Sequence, residues 1–195
     1  MNKLLVLLLI VSLSCFGQKK KAIVNTKTTN ALAKIDNVTV EIKSGKFQIS
    51  ITENGKLKDA IVIKEVDSKF SPVDCKLSVF KANGVSLHLL TWSEKSNTKT
   101  ELKTENITTV TNKIYEINSR LEVFSNYQIT NLIVEKVFLD RLKNASETQE
   151  RTRREGFEFL LNTDGSIVQK NKTQEIKWTY DVKALKYNEV KKKKQ

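Results

Sequence analysis

Alternating apolar and polar residues over Val38–Ile51, two Asn-Gly pairs set between apolar runs, and a single proline in 195 residues predict a mainly β chain. The expected architecture is one antiparallel meander domain, either a β-sandwich or a curved, barrel-like sheet, with at most one short helix, around 144–156.

The chain opens with Met1-Asn2-Lys3, an almost wholly apolar run from Leu4 to Leu13, and Ser14-Cys15-Phe16-Gly17. A basic start, a short apolar stretch and a small-residue exit are the parts of a secretory signal peptide over 1–17. The run falls short of the roughly 20 apolar residues of a permanent membrane helix. Small residues at Cys15 and Gly17 suit cleavage between Gly17 and Gln18. A lipoprotein anchored at Cys15 is the alternative, but Ser12 and Leu13 stand where a lipobox usually has Leu and a small residue. The expected product is exported, periplasmic or secreted. Cys75 is then its only thiol, so no internal disulfide forms, and a strand cysteine reads as a small buried hydrophobe.

The net charge of +12 suggests nucleic acid until its distribution is read. Residues 19–34 hold five lysines and no acid, and residues 186–195 five lysines and one glutamate, whereas the stretch between them carries only +2. Basicity therefore belongs to a flexible linker, 18–35, and a flexible tail, 184–195, flanking a β domain over 36–183. Lysine-rich ends suit an anionic envelope surface or lipid, while a nucleic-acid binder would carry its charge on the fold.

Within the domain, Val38, Val40 and Ile42 alternate with Thr39, Glu41 and Lys43. A Ser44-Gly45 turn pairs them with Phe47, Ile49 and Ile51 on one face. Asn54-Gly55 then sets Ile49 opposite Ala60 and Phe47 opposite Val62, keeping that face. Pro72 marks a passage between two sheets or two halves of one. Asn83-Gly84 pairs Ala82 with Val85, Val79 with His88, Leu77 with Leu90 and Cys75 with Trp92. Phe80, Leu87 and Leu89 line the other face, and a hairpin apolar on both faces lies between two layers. Thr98–Glu105 and Ile107–Ile117 read as more exposed strands. A long strand follows from Tyr127, then a polar excursion through Glu155, where Ser146 and Gln149 form a potential capping box and Gly156 a helix end. Phe157–Leu161, a Thr163-Asp164-Gly165 turn, Ile167-Val168 and the alternating Ile176, Trp178, Tyr180 and Val182 complete the meander.

Few residues carry chemistry. His88 is the only histidine, which excludes a His-rich metal site within one chain. The strand pairing separates it from Cys75 by roughly 13 Å, too far for a Cys–His dyad. Gly-x-Ser-x-Gly, phosphate-loop and calcium-loop patterns are absent. The chain thus points to no enzyme, no metal and no cofactor. Arg151, Arg153 and Arg154 form the one anion-contact candidate, with Glu147, Glu150 and Glu155 beside them as internal partners. Three functions follow, in order of preference. The first is a noncatalytic envelope binding or interaction module. The second is a periplasmic carrier with an apolar ligand inside a curved sheet lined by Phe47, Phe80, Leu87, Leu89 and Trp178. The third is a secreted hydrolase without a recognisable motif.

Overall fold

The computed structural model describes residues 31–191, and all of its regular structure is β. The expected signal peptide, its Gly17–Gln18 cleavage site, Cys15 and most of the linker lie outside the described residues. Thirteen strands form three antiparallel sheets, and none closes into a barrel. No helix among the described residues is long and apolar enough to cross a membrane.

The first sheet contains β1 (Ala31–Ile35), β2 (Val38–Lys43), β3 (Lys46–Glu53) and β4 (Lys56–Glu65) in chain order. Its turns are those read from the sequence. Ser44 and Gly45 have φ of 51° and 71°, and Asn54 and Gly55 of 52° and 76°, so both central positions are left-handed, as a tight hairpin turn requires. Val38↔Ile51, Val40↔Ile49 and Ile42↔Phe47 pair as expected. The β3–β4 register differs. A bulge between Ile51 and Thr52 shifts the phase, and Gln48 pairs Val62, Ile49 pairs Ile61 and Ser50 pairs Ala60. The extra residue turns Ile61 and Ile63 toward the core in place of Ala60 and Val62, which removes more apolar surface from water.

The segment containing Pro72 carries the chain into the central sheet, as expected. That sheet contains β5 (Val73–Ala82), β6 (Val85–Lys99), β7 (Lys103–Glu116), β8 (Leu121–Phe138) and β9 (Ser146–Gly156). Ala82↔Val85, Val79↔His88 and Leu77↔Leu90 hold. Cys75 and Trp92 do not form a regular pair: a bulge between Val73↔Ser93 and Lys76↔Thr91, with Asp74 at φ 53°, leaves Asp74 and Cys75 together opposite Trp92. The strand expected over Thr98–Glu105 is broken by a turn at 100–102. The short helix expected around 144–156 is instead strand β9. Each of its residues, from Ser146↔Phe138 to Gly156↔Gln128, pairs with β8, and that edge anchors one side of its backbone where an all-polar helix would have had no core contact.

The third sheet contains β10 (Glu158–Leu161), β11 (Ile167–Lys170), β12 (Glu175–Asp181) and β13 (Lys186–Glu189). Strand β13 falls inside the expected tail, and β1 inside the expected linker. Tyr187 pairs Tyr180 and is buried, while Leu32, Ala33 and Ile35 pack on a core, so each strand is held by apolar contacts that lysine counts conceal.

The central sheet is covered on opposite faces by the other two. Leu90, Trp92 and Tyr115 meet Val38, Val40, Phe47 and Ile49 of the first sheet. Leu87, Ile114 and Phe124 meet Ile167, Tyr180 and Tyr187 of the third. Alternation along β6 produces this sandwich, since odd Leu87 and Leu89 point one way and even Leu90 and Trp92 the other. Both cores use one end of the central sheet. Contact with the covering sheets runs as far as Glu94 on β6, which bonds Lys64, and Asn126 on β8, which bonds Gln169; past these and the cleft beside Thr130 the sheet continues as a single layer.

Candidate polar cleft between two sheets

A cleft opens where the chain leaves the central sheet for the third. Gly156 ends β9 with φ 80°, and a Cβ there would collide with the Tyr127 carbonyl oxygen. Only glycine permits so close a passage. The Phe157 amide donates to the Tyr127 carbonyl at 3.4 Å, and β10 begins one residue later. The inner angle of this corner is an open cleft of about 710 Å3.

Its walls are polar. Gln128 and Thr130 of β8 and Arg154 of β9 form one side, while Glu158 and Lys170 form the other, with Asn171, Lys172 and Thr173 at the rim. The rim turn is closed by Asn171 Oδ1, which accepts from the Thr173 and Gln174 amides, each at 2.9 Å. Below the cleft a polar relay joins the two sheets. Trp178 Nε1 donates to Gln169 Oε1 at 2.8 Å, Gln169 Nε2 to Asn126 Oδ1 at 2.8 Å, and Asn126 Nδ2 to the Phe157 carbonyl at 3.0 Å. Among the described residues Arg154, Lys170 and Lys172 have no ion-pair partner within 4 Å. The lining also includes Glu158 and Glu155, the latter on the same face of β9 as Arg153. Such a set can hold an anion by charge and hydrogen bonds, and it includes neither histidine nor cysteine.

The three arginines read as one cluster are divided by the strand. Arg154, paired with Thr130, lies on the cleft face, and Arg151 and Arg153, paired with Ile133 and Asn131, lie on the opposite one. There Arg151 bonds Glu135 at 3.1 Å. Hydrogen bonds from Lys103 and Asn131 hold the Glu105 carboxyl below its ordinary range, with Arg153 adding charge. Ile133, fully buried in the single-layer region, has Glu105 and Arg151 as its cross-strand neighbours. These two arginines thus belong to a charged network around an apolar residue.

Other candidates separate as well. Phe47 lies in the core beneath the first sheet, while Phe80, Leu87, Leu89 and Trp178 lie in the core beneath the third, so the five do not share an interior. Burial pushes the Cys75 thiol up to about 11, and burial lowers His88 against the opposing charges of Asp36 and Glu116. His88 pairs with Val79, several residues along β5 from Cys75. Among the described residues no group of three His, Cys, Asp or Glu is placed to hold a metal ion. Lys170, Lys172 and Glu158 escaped sequence reasoning because the corner at Gly156 brings them to Arg154. The only local sign was a glycine between a polar run and an apolar strand.

Comparison with protein-family models, curated proteins and solved structures finds no match to this chain.

Proposed function

We propose that this chain is an exported, noncatalytic binding module of the cell envelope, and that its cleft receives an anionic ligand. The observation carrying this reading is the convergence of Arg154, Lys170 and Lys172, all without ion pairs among the described residues, on one open polar cleft. A cleft lined by an arginine and two lysines without ion pairs among the described residues favours a ligand bearing phosphate or carboxylate. Export rests on the first seventeen residues.

Calorimetric titration of the full chain with tripolyphosphate tests the cleft. Arg154→Ala combined with Lys172→Ala is expected to weaken binding about tenfold or more, given about 1.5–3 kcal/mol for a hydrogen bond to a charged group. Arg151→Ala and Arg153→Ala, on the other face, are expected to leave it unchanged. The reverse pattern would overturn the assignment. Cell fractionation with intact-mass measurement tests export: a chain starting at Gln18, or at a lipidated Cys15, agrees with it, and a full-length cytoplasmic product does not.

A further inference from the structure

We infer that the far end of the central sheet is a docking tip that seats in the headgroup region of an anionic lipid bilayer. Two loops lie at that end, the turn at 100–102, which is held to β8 by the Lys136 amide donating to the Leu102 carbonyl at 2.8 Å, and the β8–β9 loop, which begins three residues further on at 139 and runs to 145. Both present leucine to solvent: Leu102 is 42% exposed, Leu139 61% and Leu142 80%. A single exposed leucine is ordinary, but two on one loop and a third on the turn at the same end of the sheet concentrate apolar surface there.

Cations share this end of the sheet. Lys136 and Lys143 stand 5.6 and 5.3 Å from the Phe138 ring centroid, and Arg141 lies between the two exposed leucines of its loop. None of the three has an ion pair among the described residues. Asp140, the one acid of the β8–β9 loop, is committed to its own turn, where it accepts from the Asn144 and Ala145 amides at 2.9 and 3.1 Å. Glu101 in the neighbouring turn has Lys99 and Lys103 close on either side in sequence.

The position suits contact with a surface. Thr130 is the last β8 residue that faces the third sheet across the cleft, and Phe138 lies eight residues further along the same strand, about 26 Å at 3.3 Å per residue. The tip therefore stands clear of both covering sheets. Leucines can enter the headgroup–acyl boundary while lysine and arginine meet lipid phosphates, the pattern of an interfacial anchor. The lysine-rich ends of the chain, Lys19–Lys21 and Lys191–Lys194, carry the same sign. This inference rests on the envelope reading only for where lipid is met, and it makes no use of the cleft.

Leu142→Trp places a fluorophore at the tip, distinct from Trp92 and Trp178 in the cores. The full chain is mixed with vesicles of phosphatidylcholine, with or without phosphatidylglycerol, carrying brominated acyl chains. The introduced indole is expected to be quenched in phosphatidylglycerol vesicles, with an apparent affinity about tenfold lower once Leu139→Asp is added, while circular dichroism stays unchanged. An unquenched indole would overturn the inference, whether or not the protein sediments with lipid, since sedimentation alone would come from the ends. Equal quenching in pure phosphatidylcholine, or self-association through the tip without lipid, would overturn it too. Failure of export in cell fractionation would remove the envelope reading and leave the vesicle result standing.

Discussion

Gly165 is where the turn between β10 and β11 presses on the β5–β6 hairpin. Its φ is 79°, and a Cβ there would lie 2.5 Å from the Lys81 carbonyl oxygen and 2.6 Å from Ala82. Around it, the Tyr187 hydroxyl donates to the Gly165 carbonyl at 2.8 Å and Asn83 Nδ2 to the Tyr180 carbonyl at 2.5 Å. Burial raises the Tyr187 phenol well above its ordinary range, so it stays a donor. Gly55 has a similar φ of 76° but nothing within 4 Å of its would-be Cβ. Gly165→Ala is therefore expected to cost about 3 kcal/mol and Gly55→Ala about 1 kcal/mol in urea unfolding. Equal losses would mean that backbone conformation alone matters. The Thr163-Asp164-Gly165 turn was legible in sequence. The clamp was not, because Lys81 and Ala82 are remote in the chain.

Strand β9 shows how an element escapes a pattern. Its eleven residues are all exposed, so neither a two- nor a 3.6-residue apolar period marks it. What makes it a strand is the long edge of β8, and that edge exists only once β7 and β8 have paired. Elsewhere along the central sheet, polar side chains do the cross-strand work. Asn97 Nδ2 donates to Asn106 Oδ1 at 2.6 Å in the exposed single layer, whereas Asn126 is buried and links two sheets. Asn126→Ala would strand Gln169 Nε2 and the Phe157 carbonyl, at an expected cost of about 2–3 kcal/mol. Asn97→Ala is expected to cost about 0.5 kcal/mol or less. Denaturant midpoints of the two variants check the contrast, and comparable losses would show that the relay does not join the sheets.

Across the molecule, two cores share one sheet. Phe47 meets Trp92 edge-on at 5.2 Å beneath the first sheet, and Phe124 meets Trp178 edge-on at 5.6 Å beneath the third. Lys64–Glu94, at 2.8 Å, and Arg120–Asp59 add ion pairs between the first sheet and the central one. Neither core can be lost without disturbing strands β6 and β7, which serve both, so unfolding is expected to be a single transition. Two single-tryptophan variants, Trp92→Phe and Trp178→Phe, test this. In each, fluorescence and circular dichroism should share one denaturant midpoint, and a split between them would show two cores that unfold separately.

Sequence by itself determined the β character, the tight turns at Ser44-Gly45, Asn54-Gly55 and Asn83-Gly84, the passage at Pro72, and a β5–β6 hairpin set between two layers. Each of these is local: a period of two, or a backbone that needs left-handed φ. Packing decided the β3–β4 bulge, the strand at 146–156, the strands at 31–35 and 186–189, and the parting of Arg154 from Arg151 and Arg153. Those outcomes depend on which face a remote residue covers or which edge lies open, and no local pattern encodes them.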